Sequence, residues 1–252
     1  MGKIKILTFA IFLSFIASTL YAQDLNGFLY ASDQAETFDP SKKVKEYVRG
    51  ETAYCVILIK GFSIHADNSV DLSGDIKFID PSGNVLFEQK NYAKSKATVE
   101  KNNQFVNLDN SLDISFTDKD PLGMYIVEIN IKDKISGASN KSQSTLLLFD
   151  TKESKNLIMA PVKTAKQLDD LWAEYFRSKN TWAIKRIISA LKLREESTNI
   201  EDAAVGSAAA WSLEINAKKY PEILKICKQS LEHTKGSTKE LLVEIIYKVE
   251  NK

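Results

Sequence analysis

The chain changes its hydrophobic rhythm near residue 155. Before it, short runs rich in Val, Ile, Phe and Tyr alternate with clusters of Gly, Asn, Asp and Ser. After it, apolar residues return at helical spacing between polar caps. In the first half, Ala53–Ile59 is a near-continuous apolar run suited to a central strand. Leu112, Ile114 and Phe116 alternate with polar residues, as a half-buried strand requires. Tyr125, Val127, Ile129 and Ile131 repeat that alternation, with Met124, Ile126, Glu128, Asn130 and Lys132 on the opposite face. Asp75–Ile79 and Val85–Glu88 flank Asp80-Pro81-Ser82-Gly83-Asn84, a turn with Pro and Gly where a tight hairpin needs them. Gly27–Ser32 supplies a first edge strand, and Ser144–Phe149 a last one after the polar loop Asp133–Gln143. About seven strands at short spacing predict a β-sandwich.

The second half predicts helices. Thr164-Ala165-Lys166-Gln167 is a capping box, followed by the apolar face Leu168, Leu171, Trp172, Tyr175 and Phe176. Asn180 or Thr181 caps a second helix with Ile184, Ile187, Ile188 and Leu191 on its stripe. Thr198-Asn199-Ile200-Glu201 is a further capping box, opening a helix whose stripe is expected at Ala204, Ala208, Trp211 and Ile215. Pro221 opens a fourth helix with Ile223, Leu224, Cys227 and Leu231 inside. Gly236-Ser237-Thr238-Lys239-Glu240 stops that helix and starts the next, which buries Leu241, Leu242, Ile245, Ile246 and Val249. The small stretch Gly206–Ala210 lets a neighbouring helix approach closely. About five helices with short loops pack as antiparallel hairpins. The pattern is an α+β chain of two domains: a sandwich over 23–150, a linker over 151–163 and a helical domain over 164–252.

Three segments carry a family resemblance. Val48-Arg49-Gly50-Glu51-Thr52-Ala53-Tyr54, Asp80-Pro81-Ser82-Gly83-Asn84-Val85 and Asp120-Pro121-Leu122-Gly123-Met124-Tyr125 occur in an order that resembles immunoglobulin-like and macroglobulin-like modules of exported proteins. The resemblance covers residues ~25–150 and implies an immunoglobulin-like antiparallel β-sandwich. It also implies that Tyr125 is a tyrosine corner, its hydroxyl bonding back to the chain. Val127 stands where antibody domains place their second cysteine, so that intersheet disulfide is missing. Thioester and bait motifs are absent, and a fold carries no activity by itself.

The N-terminus changes the picture of location. Lys3 and Lys5 precede the apolar run Ile6–Ile16, and Ala22 precedes the polar Gln23-Asp24. This is the pattern of a cleavable secretory signal over 1–22, with the cut after Ala22 or Gln23. The run is short for a membrane span, which needs ~20 apolar residues. No Cys follows it to accept a lipid. The expected location is therefore periplasmic or secreted, with no transmembrane span in the mature chain.

Formal charge is +1 for the whole chain and −1 without the two leader lysines. A near-neutral chain argues against nucleic acid as partner, since phosphate binding needs a clustered positive field. Residues 23–159 carry −4 and 160–252 carry +3. Cys55 falls within the strand-like run and Cys227 on a helix stripe, so two buried thiols are expected rather than a bridge.

The search for chemistry selects no catalytic, cofactor or metal residue. His65 reads as a loop residue and His233 as a helix-end cation. No spaced zinc ligand set exists. Gly61-Phe62-Ser63-Ile64-His65 lacks the second Gly of a nucleophile turn, and no Gly-rich phosphate loop occurs. Asp67-Asn68-Ser69-Val70-Asp71 resembles the start of a calcium loop, but Leu72 and Phe78 stand where Gly and Glu belong. Trp172, Trp182 and Trp211 are expected mostly in the core, with Trp182 off its stripe. Aromatics lining a groove between helices would make a peptide-binding surface. The expected function is therefore non-enzymatic: protein or peptide binding, or assembly, in the cell envelope. An enzyme with a site built between the domains, or a carbohydrate- or surface-binding module, is the alternative.

Overall fold

The computed structural model describes residues 24–33, 44–100 and 105–251, so the expected signal segment 1–22 lies outside the described residues. Strands come first: β1 (Asn26–Ser32), β2 (Glu46–Val48), β3 (Thr52–Lys60), β4 (Leu72–Ile79), β5 (Val85–Ser95), β6 (Val106–Asn107), β7 (Leu112–Ser115), β8 (Gly123–Asp133) and β9 (Ser139–Phe149). Helices follow: α1 (Lys152–Met159), α2 (Ala165–Ser178), α3 (Thr181–Ala190), α4 (Lys192–Glu196), α5 (Ile200–Lys219), α6 (Pro221–Leu231) and α7 (Gly236–Glu250). The chain is thus α+β with two sheets. One sheet runs β1-β3-β6 with β7 also paired to β3, and the other runs β2-β9-β8-β4-β5. No helix of the described residues is long and apolar enough to cross a membrane.

By compactness the described residues divide into two units: those within 24–45, 52–114 and 126–145, and those within 46–51, 115–125 and 146–251. In the first unit, β3 pairs antiparallel with β1 and β6, and β4 pairs antiparallel with β5 and β8. Its two sheets meet through apolar side chains. A Cβ on Gly27 of β1 would overlap Ile131 of β8, and one on Gly74 of β4 would press on Leu108 beside β6. Leu29, Ile57, Ile59, Leu72, Ile76, Ile129 and Ile131 fill the interior.

The expected hairpin forms between β4 and β5. Asp80 accepts from the backbone N–H groups of Ser82 and Asn84, both at 2.8 Å, and Gly83 takes the positive φ of 90° that the turn requires. Burial by itself raises the Asp80 carboxyl, but hydrogen bonds from Asn84, Ser82 and Gly83 outweigh it and hold the group below its usual range.

The edge strand β1 is not left open. On its outer side, Asn140 Nδ2 donates to Leu25 O at 2.7 Å and Ser142 Oγ donates to Gly27 O. Ser144 Oγ accepts from Leu29 N at 3.2 Å. Alternate residues of β9 thus close a strand edge with side chains, which blocks pairing by a foreign strand.

The second unit joins helices to strand ends. Its core contains Val48, Leu147 and Phe149 beside Leu171, Ile184, Ile187, Leu213, Ile223 and Leu242. Here β2 lies parallel to β9, a departure from the all-antiparallel expectation. Tyr125 Oη donates to Pro121 O at 2.8 Å, the back-bond expected of this tyrosine. The expected linker 151–163 contains α1, whose Ile158 is wholly buried. Thr164 and Gln167 form the expected capping box at the start of α2. Asn180, also wholly buried, caps α3 through Trp182 N and donates from Nδ2 to Leu148 O at 3.4 Å. At α5 the cap is Asn199 alone, accepting from Glu201 N, rather than the expected box.

The stripe of α5 is the clearest correction. The helix buries Val205, Gly206, Ala209, Ala210, Leu213 and Ala217, whereas the expected stripe holds Trp211 and Ile215 in solvent. The small face is inside because Gly206 abuts the backbone of Arg194. A Cβ there would lie 2.3 Å from Arg194 N and 2.9 Å from Leu193 C.

Candidate functional site

The nucleophilic and acidic groups singled out in the sequence are each held within the fold. Cys55 and Cys227 are free and buried, and burial pushes both thiols up to about 12, which leaves them unreactive near neutral pH. Ser63 N donates to Asp133 Oδ2 at 2.9 Å, so the nearest match to a nucleophile turn is part of a loop anchor. His65 is exposed, its backbone N–H bonded to Ser69 O at 2.8 Å. His233 is exposed just beyond α6. In the calcium-like segment, Asp67 Oδ1 accepts from Ser69 N and Ser69 Oγ at 2.9 and 2.6 Å. Asp71 is paired with Lys96 and Lys134 at 3.5 and 3.2 Å. Among the described residues no group of three His, Cys, Asp or Glu is placed to hold a metal.

A cluster of charged side chains in the second unit is paired within itself. Arg49 Nη1 meets Asp150 Oδ1 at 2.7 Å, and Arg177 holds the other oxygen of Asp150. Arg177 Nη2 also reaches Glu174 Oε2 at 2.7 Å, and Ser154 Oγ donates to Glu174 Oε1 at 2.6 Å. The Arg177 hydrogen bond, assisted by Arg49, holds the Asp150 carboxyl below the usual carboxylate range. These pairs tie β9, α1 and α2 to the 46–51 segment, a structural role.

The tryptophans separate into three environments. Trp172 is core, stacked on Phe176 with centroids 6.0 Å apart. Trp182 is half-buried, with Lys185 Nζ 5.2 Å from its ring centre. Trp211 is 68% exposed. Ile215 stands one helical turn on from Trp211, and on α7 Val243 and Tyr247 are likewise one turn apart, with Tyr247 66% exposed. Helices α5 and α7 are neighbours, and all four side chains sit opposite their helix's buried stripe. The ion pairs Glu214–Lys218 and Glu244–Lys248 lie beside them, and Glu214 acts on the charges of Glu244 and Lys248 from one helix to the other. The Lys248 hydrogen bond holds the Glu244 carboxyl below its usual range and raises the Lys248 ammonium in turn. Each of the two helices thus presents an exposed apolar pair beside an ion pair.

The other exposed apolar stretch is the start of β5, where Val85 and Leu86 are about half exposed. Two register shifts against β4, the positive φ of Asn91 and the charges of Glu88 and Lys90 make it a guarded edge.

No protein-family model matches the chain and no curated protein matches it. Solved structures overlap about half of it at low similarity. A family 123 glycoside hydrolase from Clostridium perfringens has 11% identity and a TM-score of 0.30, covering 50% of this chain and 28% of that one. The CARDB domain of a Pyrococcus furiosus protein, in complex with di-metal ions, has 11% identity and a TM-score of 0.27, covering 50% and 88%. A Niemann-Pick type C2 protein from the Japanese carpenter ant has 6% identity and a TM-score of 0.28, covering 49% and 89%. At these TM-scores the overlaps carry no argument.

Proposed function

We propose that the mature chain is an exported, non-enzymatic envelope protein that binds a protein or peptide through the outer face of α5 and α7. One observation carries the reading: Trp211, a residue with a large apolar ring system, is 68% exposed with the exposed Ile215 one helical turn away. Tryptophan and tyrosine concentrate binding energy because their rigid rings bury much area for little entropy. The partner's matching surface meets the exposed apolar side chains with apolar groups, and Lys218, Glu244 and Lys248 with opposite charges. In this reading the strand-rich half is an immunoglobulin-like sandwich. The three-motif order and the Tyr125 back-bond support that assignment. Export rests on the leader pattern of residues 1–22.

The test is crosslinking in the native envelope fraction, comparing the wild type with a Trp211→Ser/Tyr247→Ser chain and identifying partners by mass. Both residues are surface side chains, so melting should change little, within about 0.5 kcal/mol per site. A partner crosslinked by the wild type and lost from the variant supports the reading. An undiminished crosslink moves the interface elsewhere, and the absence of any reproducible partner overturns binding altogether. Intact mass of the same sample reports export, with residues 1–22 or 1–23 expected to be missing; a full-length chain would refute it.

A further inference from the structure

Helix α5 has two apolar sides, and the inner one is already filled. Val205, Ala209, Leu213 and Ala217 on that side belong to the core of the second unit. The other side runs Ile200, Ala204, Ser207, Ala208, Trp211 and Ile215, one stripe at helical spacing. None of the six carries a charge. Ile200 is 86% exposed, Trp211 68% and Ile215 42%, and Ala204 and Ser207 are exposed as well. The outer face of a solvated helix ordinarily carries charged and polar residues, so a second apolar stripe marks a surface that another molecule covers.

The order of the stripe identifies the cover. Its steps are four, three, one, three and four residues, so the spacing reads the same from either end. Isoleucine stands at both ends, and the small Ala204 and the large Trp211 occupy mirrored places about Ser207 and Ala208. Laid antiparallel on a second copy, Ile200 meets Ile215 of the partner subunit. Trp211 fills the space over the partner subunit's Ala204, and Ser207 meets the partner's Ala208. Such reciprocal pairing is what a two-fold interface demands. Charge agrees with the direction. The first turn carries the exposed Glu201 and the last turn the exposed Lys218 and Lys219. Antiparallel packing brings each acidic end to a basic end, whereas parallel packing would set like charges together. We propose that the outer stripe of α5 is a two-fold interface between two copies of this chain. The inference rests on the binding role proposed for Trp211 and names its partner as a second copy. One helix pair makes a small interface, so the dimer is a reversible one.

The test is sedimentation velocity of the mature chain from about 1 µM to about 1 mM, the range where a small interface dissociates. The expected result is a concentration-dependent equilibrium of monomer and dimer. Trp211→Ala should weaken it about tenfold or more. Adding Ala204→Trp to Trp211→Ala should restore it, because the exchanged large and small residues still meet across the axis. Both positions are exposed, which spares the monomer fold. Ser207→Cys, beside the axis, should form an intersubunit disulfide under mild oxidation. Ser82→Cys, exposed on the β4–β5 hairpin, should not, and Cys55 and Cys227 are buried and do not compete. A chain that stays monomeric throughout overturns the inference. So does a dimer that Trp211→Ala leaves intact, that the exchange fails to restore, or that both cysteines crosslink equally. A monomer whose envelope crosslink to a different protein is lost with Trp211→Ser/Tyr247→Ser keeps the binding role and overturns the two-fold interface alone.

Discussion

Asp133 shows how one carboxylate holds a loop. It is 1% exposed and accepts from Ser63 N and Ile135 N at 2.9 Å and from Ser136 Oγ at 2.6 Å. Burial alone raises such a carboxyl, but the bonds from Ser136, Ser63 and Ile135 outweigh it, so the folded-state value lies below the ordinary one. The sign of the linkage follows. A depressed folded value gives stability that is complete above the unfolded value of about 3.9 and lost as pH falls through the folded one. Asp133→Asn should therefore destabilise by about 1–3 kcal/mol at neutral pH. The gap between wild type and variant in denaturant unfolding should narrow below about pH 4. A gap that stays constant into acid would show that the charge contributes nothing. Asp133 was visible in the sequence only as the start of a polar loop, because its partner Ser63 lies 70 residues away. Asp80 was legible because all its partners sit within four residues of it.

At the scale of elements, α5 is decided by shape rather than by polarity. Its apolar residues fall on two sides: Trp211 and Ile215 on one, Gly206, Ala209, Ala210 and Leu213 on the other. Spacing alone favoured the large residues, since their area gains most from burial. The small side won because Gly206 lets the backbone at Leu193–Arg194 come closer than any Cβ allows. Gly206→Ala should thus be destabilising by about 1–3 kcal/mol through overpacking, against a gain of about 1 kcal/mol in helix propensity. Ser207→Ala, one residue on and exposed, serves as the control. Paired melting curves check this, and a Gly206→Ala chain as stable as the wild type would refute the contact. Helices α2, α3, α6 and α7 were readable because each has one apolar side, as Ile184, Ile187, Ile188 and Leu191 of the α3 stretch are all buried, whereas α1 was read as linker and the five-residue α4 buries no side chain.

For the whole molecule, compactness does not follow the change of rhythm near residue 155. Residues 46–51, 115–125 and 146–149 belong with the helices. Phe149 and Leu147 from β9 and Val48 from β2 sit in the helical core, and Lys155 Nζ donates to Glu46 O at 2.9 Å. A chain of residues 151–252 alone would lack these three apolar side chains. Each large one removed from a core costs roughly 2–5 kcal/mol, a sizeable part of a domain's total stability. Such a fragment should melt without a cooperative transition by calorimetry. Sharp unfolding at the temperature of the full chain would show that the strand ends are dispensable.

The sequence by itself determined what is local. Alternation defined the strands, Asp80 and Gly83 the hairpin, Thr164 and Gln167 a helix start, and apolar surroundings the two thiols. These signals act within a few residues, so they need no distant partner to be read. Tertiary structure alone decided the parallel pairing of β2, the closure of β1 by Asn140, Ser142 and Ser144, and the outward turn of Trp211. Each of these depends on which surface arrives from a distant part of the chain and how closely it fits, and that is a property of packed shapes rather than of residue order.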